Sequence, residues 1–268
     1  MSMNELVHNG KAWLKEAREI ILDSMDEILE SEEKASRVDI VTAMDIKVQE
    51  FLVGKIEKTY PNDKILGEES GYNQLEDRSG RVWIIDPIDG TSNFYFQKTN
   101  FAILMAVFVD GIGKIGFIYD IMQDNLYWGG REFGGVYRNE VRLAAPKKRR
   151  IRDGLVSIAS SLYGDAMFDV VNIGKESMGV RSHGASSMEF IALLEGRVSA
   201  VIDYSAPWDW TAGSTLAQVF GFEIYPLGKD EMNWEGYDYF VCCYPEDYME
   251  FFGNKSVTSN MYATTIRA

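Results

Sequence analysis

Apolar residues recur at helical spacing along 5–29, where Leu6, Trp13, Leu14, Ala17, Ile20, Ile21, Met25 and Ile28 form one stripe. Lys15, Glu16, Arg18, Glu19 and Glu27 lie opposite. This is the pattern of a long amphipathic helix packed on a core. It dissolves into Glu30-Ser31-Glu32-Glu33-Lys34-Ala35-Ser36-Arg37, too polar to pack and read as a mobile loop. Val38-Asp39-Ile40-Val41-Thr42 then alternates like a short strand or extended entry. A second helix is expected from Thr42, with Met44, Val48, Phe51, Leu52 and Ile56 inward and Asp45 in its first turn.

Beyond Tyr60-Pro61-Asn62-Asp63, a turn, the period shortens. Ile65-Leu66 reads as a brief strand running into Gly67-Glu68-Glu69-Ser70, and Val82-Trp83-Ile84-Ile85 as a buried strand stopped by Pro87. The nine apolar residues 101–109, then 114–119, 126–128 and 136–137, predict an antiparallel meander broken by Asp110-Gly111 and paired glycines. The second half alternates: strands at 155–159, 178–181, 200–203, 223–225 and 239–243, with helices at 186–194, 209–220 and 246–252. The expectation is an α+β half over 1–146 and an α/β half over 147–268, together one catalytic unit. The basic run Pro146-Lys147-Lys148-Arg149-Arg150-Ile151-Arg152 reads as a solvated connector between them, the alternative being a grip on an anionic partner.

Composition narrows the partners. With 46% hydrophobic and 25% charged residues over 268 positions, the chain can bury a large core. A net charge of -14 and a pI near 4.7 disfavour nucleic acid and anionic membrane, and make cations the natural guests. The two cysteines, Cys242 and Cys243, are adjacent in an apolar run, so a buried strand is expected rather than a disulfide or metal site. The N-terminus lacks a signal-peptide pattern and no apolar run reaches membrane length, which points to a cytoplasmic protein.

The chemistry concentrates at Asp86-Pro87-Ile88-Asp89-Gly90-Thr91-Ser92-Asn93. A strand delivers two acids three positions apart to a helix start, where carboxylates can ligate a hard cation and free N–H groups of Gly90 and Thr91 can receive anionic oxygens. Two further segments place an acid after an apolar stretch: Gly67-Glu68-Glu69-Ser70, and Pro207-Trp208-Asp209-Trp210-Thr211-Ala212-Gly213, where Asp209 sits at a helix N-terminus and Gly213 allows close packing. With only His8 and His183 in the chain, nothing favours zinc.

These three ordered motifs, with Lys34 and the 38–45 segment, resemble the inositol monophosphatase family over most of the chain. The resemblance implies a layered α-β-α-β-α sandwich of the inositol monophosphatase and fructose-1,6-bisphosphatase type, and a magnesium-dependent, lithium-sensitive phosphatase. Glu68, Asp86 and the Ile88 carbonyl would hold one Mg²⁺, Asp86, Asp89 and Asp209 a second, and a third would sit near Glu68. Asp45, Glu68 and Thr91 would serve the proton relay in metal-activated water attack on phosphorus. Gly90 and Thr91 amides would hold the phosphate oxygens, Asp89 would also be among the substrate-binding residues, and Lys34 would pair with the site's anions or help hold the third ion. Gly184-Ala185-Ser186 occupies the turn that contacts the substrate alcohol. Asp203 is the nearest acid to the one that receives ring hydroxyls in inositol-specific relatives, though it is Asp rather than Glu and one residue closer to the Trp-Asp motif. A homodimer is implied as well.

The substrate expectation is a small phosphomonoester, inositol 1-phosphate first. Behind it stand the 2′-phosphate of NADP(H) or broad specificity, fructose 1,6-bisphosphate and 3′-phosphoadenosine 5′-phosphate. A non-catalytic, metal-binding regulatory protein is the alternative from another class, disfavoured because every ligand and relay residue is present.

Overall fold

The computed structural model describes residues 2–31, 37–69, 71–163 and 169–253. Two helices open the chain, α1 (Met3–Ser31) and α2 (Arg37–Thr59). A seven-stranded sheet follows: β1 (Lys64–Gly67), β2 (Arg81–Asp89), β3 (Ala102–Val109), β4 (Ile112–Asp120), β5 (Asn125–Gly130), β6 (Gly135–Arg138) and β7 (Val141–Arg142). They lie in chain order across the sheet. β1 is parallel to β2 and the rest pair antiparallel. The short helix α3 (Thr91–Gln97) leaves the end of β2.

The second sheet comprises β8 (Val156–Ile158), β9 (Val180–Arg181), β10 (Ala200–Ser205), β11 (Glu223–Pro226) and β12 (Asp238–Cys243) in the order β11-β12-β10-β8-β9. Its helices are α4 (Val170–Glu176), α5 (Ser186–Leu194), α6 (Pro207–Ala217) and α7 (Pro245–Phe251).

Strand alternation sorts the side chains into three cores. Trp83, Ile85, Ile103, Met105, Ile115 and Phe117 face α1 and α2. Val82, Ile84, Leu104, Ala106 and Ile118 face α5 and α6, which also meet Val201, Phe240 and Cys242 of the second sheet. The outer face of that sheet, with Val156, Ile158, Ile202, Val241 and Cys243, packs with α4 and α7. The layers are therefore α-β-α-β-α, as the resemblance implied. Cys242 and Cys243 are free, buried and divided between two cores. Phe190 of α5 lies over Gly213 of α6, where any added Cβ would strike the ring.

Several expectations need correction. The 38–42 stretch belongs to α2 rather than to a strand, and because α2 begins at Arg37, Asp45 lies beyond its second turn. β-branched residues favour strands only weakly, and continuity with the following helix prevails. Pro87 does not stop its strand: β2 runs to Asp89, with a register shift against β3 between Asp86 and Asp89. A bulge is where a strand tolerates proline, because the missing N–H interrupts no ladder bond there. The basic run does join the two sheets, but it is pinned to α7: Lys148 pairs with Glu246, Arg150 with Asp247 and Glu250, and Arg152 with Glu250. Lys34 lies outside the described residues.

Candidate active site

The bulge in β2 gives the site its shape. By breaking the ladder it lets Asp86 and Asp89 approach from one strand end, and the Asp86 carboxylate accepts the Ile88 N–H at 3.0 Å. Gly90, at φ 88°, turns the chain into α3, and a Cβ there would stand 2.8 Å from Ala185 Cβ and 3.1 Å from the Asn100 carbonyl. Glycine is required on both counts. Thr91 opens α3 and its hydroxyl donates to the Ile88 carbonyl at 3.2 Å.

Two central-layer helices complete the acid cluster. Asp89 accepts the first N–H groups of α5, from Ser186 at 3.2 Å and Ser187 at 2.6 Å. Asp209, in the first turn of α6, accepts the Ala206 N–H at 2.7 Å, with Pro207 fixing the approach. One carboxylate oxygen from each of Asp86, Asp89 and Asp209 lies within 4.8 Å of the others.

Glu68, just past β1, adjoins this trio through a hydrogen bond with Asp86. Asp45 projects from α2 and is 4% exposed, and its Oδ1 has no hydrogen-bond partner among the described residues. Gln49, one turn further along α2, fixes the loop between them: it accepts the Glu69 N–H at 2.9 Å and donates to the Glu69 carbonyl at 3.3 Å.

Packing these acids together is costly. Two carboxylates 4 Å apart repel by about 4 kcal/mol at an effective dielectric of 20. Burial, reinforced by Glu68 and Glu69, raises Asp45 to about 8. Burial likewise lifts Glu68 to about 7 despite the Asp86 hydrogen bond. Asp86 and Asp209 are driven well above the carboxylate range by burial and by the neighbouring acids. Asp89 rises less, to about 6, because the α5 donors at Ser187 and Ser186 offset its burial. The leading charges acting on Asp86 are four more carboxylates, Glu68, Asp89, Asp209 and Asp45. An all-oxygen, strongly anionic donor set with an orphaned buried oxygen beside it fits hard divalent cations such as magnesium.

Beside the cluster opens a cavity of about 270 Å³, lined by Asp89, Gly184, Ala185, Ser186, Asp203 and Asp209, with further serines and tyrosines. The structure thus brings the predicted alcohol-side turn and Asp203 to the acids. Asp203 is engaged at both oxygens, accepting the Ser186 hydroxyl at 2.6 Å and the Tyr204 N–H at 2.7 Å.

Two residues hold the 183–187 turn in roles the sequence reading did not assign, Asn93 within the quoted motif and Glu189 outside every motif. Asn93 donates to the carbonyls of His183, at 2.8 Å, and Asn100, at 2.9 Å. Buried Glu189 accepts the His183 N–H at 2.6 Å, pairs with His183 Nδ1 at 2.6 Å and accepts the Ser157 hydroxyl. A lone acid within the apolar helix 186–194 was the only signal for the latter.

Comparison with known proteins agrees with this geometry. The family model described as the inositol monophosphatase family matches residues 3–239. The chain is 38% identical over 224 residues to an inositol-1-monophosphatase of Bacillus subtilis (strain 168), covering 81% of this chain and 83% of that protein. It is 28% identical over 204 residues to a fructose-1,6-bisphosphatase/inositol-1-monophosphatase of Thermotoga maritima, covering 75% and 77%. The crystal structure of inositol monophosphatase II from Staphylococcus aureus MSSA476 superposes with a TM-score of 0.83 at 28% identity, covering 93% of this chain and 92% of that one. With the ligand cluster, the layered fold and these relatives in agreement, the chain belongs to the inositol monophosphatase family.

Proposed function

We propose that the protein is a Mg²⁺-dependent phosphoric monoester hydrolase whose substrate is inositol 1-phosphate. The observation that carries this reading is the convergence of Asp86, Asp89 and Asp209 within 4.8 Å beside a polar cavity of about 270 Å³. A cavity of that size beside the acids can seat a compact phosphate ester. The relative from Bacillus subtilis named as an inositol-1-monophosphatase supports the same choice.

Asp86, Asp89 and Asp209 would hold metal, joined by Glu68 and the Ile88 carbonyl, two to three ions in all. When bound, the ions supply an acidified water and charge neutralisation. The chain's own groups do the rest. The Asp45 carboxylate would accept the proton of the attacking water, relayed through the Thr91 hydroxyl, which gives up its own proton as it receives one, with Glu68 close by. Asp45 can serve this task in its ionised form, which bound cations beside it would favour over the proton that burial, Glu68 and Glu69 hold on it in the metal-free fold. The amides of Gly90 and Thr91 receive phosphate oxygens as charge builds there. Gly184, Ala185 and Ser186 line the alcohol side, and Asp203 holds Ser186 in place.

Phosphate release from inositol 1-phosphate, fructose 1,6-bisphosphate, 3′-phosphoadenosine 5′-phosphate and NADP⁺ tests the proposal, measured with Mg²⁺, with EDTA and with added Li⁺. Expected are strict Mg²⁺ dependence, inhibition by Li⁺ and the highest kcat/KM for the inositol ester. A clear preference for NADP⁺ overturns the substrate choice, and no release from any ester overturns the hydrolase reading.

A further inference from the structure

The acid that the resemblance assigns to ring hydroxyls, Asp203, has both oxygens engaged within the protein. Two positions along β10, Ser205 lines the same cavity. Residues two apart on a strand share a face. Ser205 is only 6% exposed, yet its hydroxyl has no hydrogen-bond partner among the described residues. A buried hydroxyl left without a partner forfeits free energy that a ligand hydroxyl can restore.

Above it stands an aromatic rim. Tyr204 and Tyr237 both line the cavity and are 40% and 55% exposed. Their rings are tilted against one another with centroids 5.5 Å apart, and Tyr204 is braced from behind by Tyr239 at 4.3 Å. Tyr239 is the direct cross-strand neighbour of Tyr204 on β12. The Tyr237 phenol is raised by burial and then by Asp209, Glu68 and Asp86, consistent with its position over the acid cluster. A braced, half-exposed tyrosine pair gives rigid contact area at small entropic cost, and its ring faces attract C–H edges.

The geometry points to Ser205, Tyr204 and Tyr237 as the residues that select a ring-bearing polyol ester over an acyclic one, with Asp203 acting as a positioning residue for Ser186. Ser205 meets a ring hydroxyl and the tyrosines cover the C–H face of the same ring. This rests on the phosphatase reading, and it adds which side chains read the leaving alcohol.

The test compares inositol 1-phosphate with glycerol 2-phosphate for the wild type, Ser205→Ala, Tyr237→Ala and Tyr237→Phe, in Mg²⁺. Calorimetric binding of both esters is measured alongside. Ser205→Ala and Tyr237→Ala are each expected to lower the ring-to-acyclic ratio of kcat/KM by about tenfold, chiefly through KM. Tyr237→Phe, which keeps the ring face, is expected to retain most of the wild-type ratio. Unchanged melting temperatures confirm that the variants fold. An unaltered ratio in both alanine variants, or equal losses on the two esters, overturns the inference. Should the wild type hydrolyse neither ester, the phosphatase reading fails, and the calorimetric ring-to-acyclic affinity ratio still decides the selection.

Discussion

Replacing Asp45 by Asn separates the catalytic demand on the site from its cost to the fold. The carboxyl is 4% exposed, its Oδ1 has no partner among the described residues, and burial with Glu68 and Glu69 lifts it from an ordinary 3.8 to about 8. In the unfolded chain the group ionises near its ordinary value, whereas in the metal-free fold it holds its proton through neutrality. Its favourable contribution is therefore complete below about pH 3.8 and is lost as pH rises through about 8. At about 1.4 kcal/mol per pH unit, that loss reaches about 4 kcal/mol at pH 7, an upper bound because Glu68 and Glu69 titrate with it. Asparagine matches the protonated acid in shape and escapes the loss. In EDTA at pH 7 the variant should be more stable by about 2 kcal/mol or more, which raises Tm by roughly 5 °C. That advantage should grow from pH 5 to pH 8. Added Mg²⁺ should narrow it, because cations favour the ionised acid. Turnover should fall roughly a hundredfold or more as the proton acceptor is lost. Thermal melts across pH, with and without Mg²⁺, and steady-state kinetics read both effects. Near-normal turnover would remove Asp45 from the proton path, and a Tm at or below wild type at pH 7 in EDTA would refute the electrostatic reasoning.

Substitutions at three further positions probe the supports. Glu189→Ala strands the His183 N–H and the Ser157 hydroxyl, so kinetics should show a loss in kcat/KM of about tenfold to a hundredfold. Glu189→Gln, which keeps an acceptor for the His183 N–H, should recover most of it. Gly90→Ala must place a Cβ 2.8 Å from Ala185 at φ 88°, and thermal melts should show a cost of about 1–3 kcal/mol together with a drop in kcat. Arg150→Ala leaves Asp247, fully buried and held by Arg150 Nε at 2.6 Å, without its cation. Denaturant unfolding should register a loss of about 3 kcal/mol, with KM unchanged at low temperature because the pair lies on the outer face of the second sheet.

What the sequence made legible was local. Helix 186–194 was read with the bounds the structure gives, because Gly184 and an apolar run mark it plainly. The long apolar strands were placed to within two or three residues. The three acidic motifs could be read because each couples an acid to a strand end or helix start, although their meeting within 4.8 Å is a tertiary fact. The failures have physical causes. Helix α4 (Val170–Glu176) carries a single turn's worth of apolar signal around Gly174 and went unrecognised. Pro87 was read by its general habit of ending strands, and only the pairing with β3 reveals the bulge that accommodates it. Gln49 does its work through a partner 20 residues away, with no local pattern to mark it, and Glu189 acts on His183 and on Ser157, 6 and 32 residues away, marked only as a lone acid in an apolar helix. Ser205 gains meaning only once both oxygens of Asp203 are seen to be engaged.

The central claim, that the cluster of Asp86, Asp89 and Asp209 holds the magnesium that hydrolysis needs, is tested most directly by phosphate release from inositol 1-phosphate as Mg²⁺ is titrated into wild type and Asp209→Asn. The account predicts no release in EDTA, saturable activation of the wild type, and an activation curve for the variant displaced to at least about tenfold higher Mg²⁺ with reduced kcat. Phosphate release that persists in EDTA, or superimposable Mg²⁺ curves for the two proteins, would contradict it.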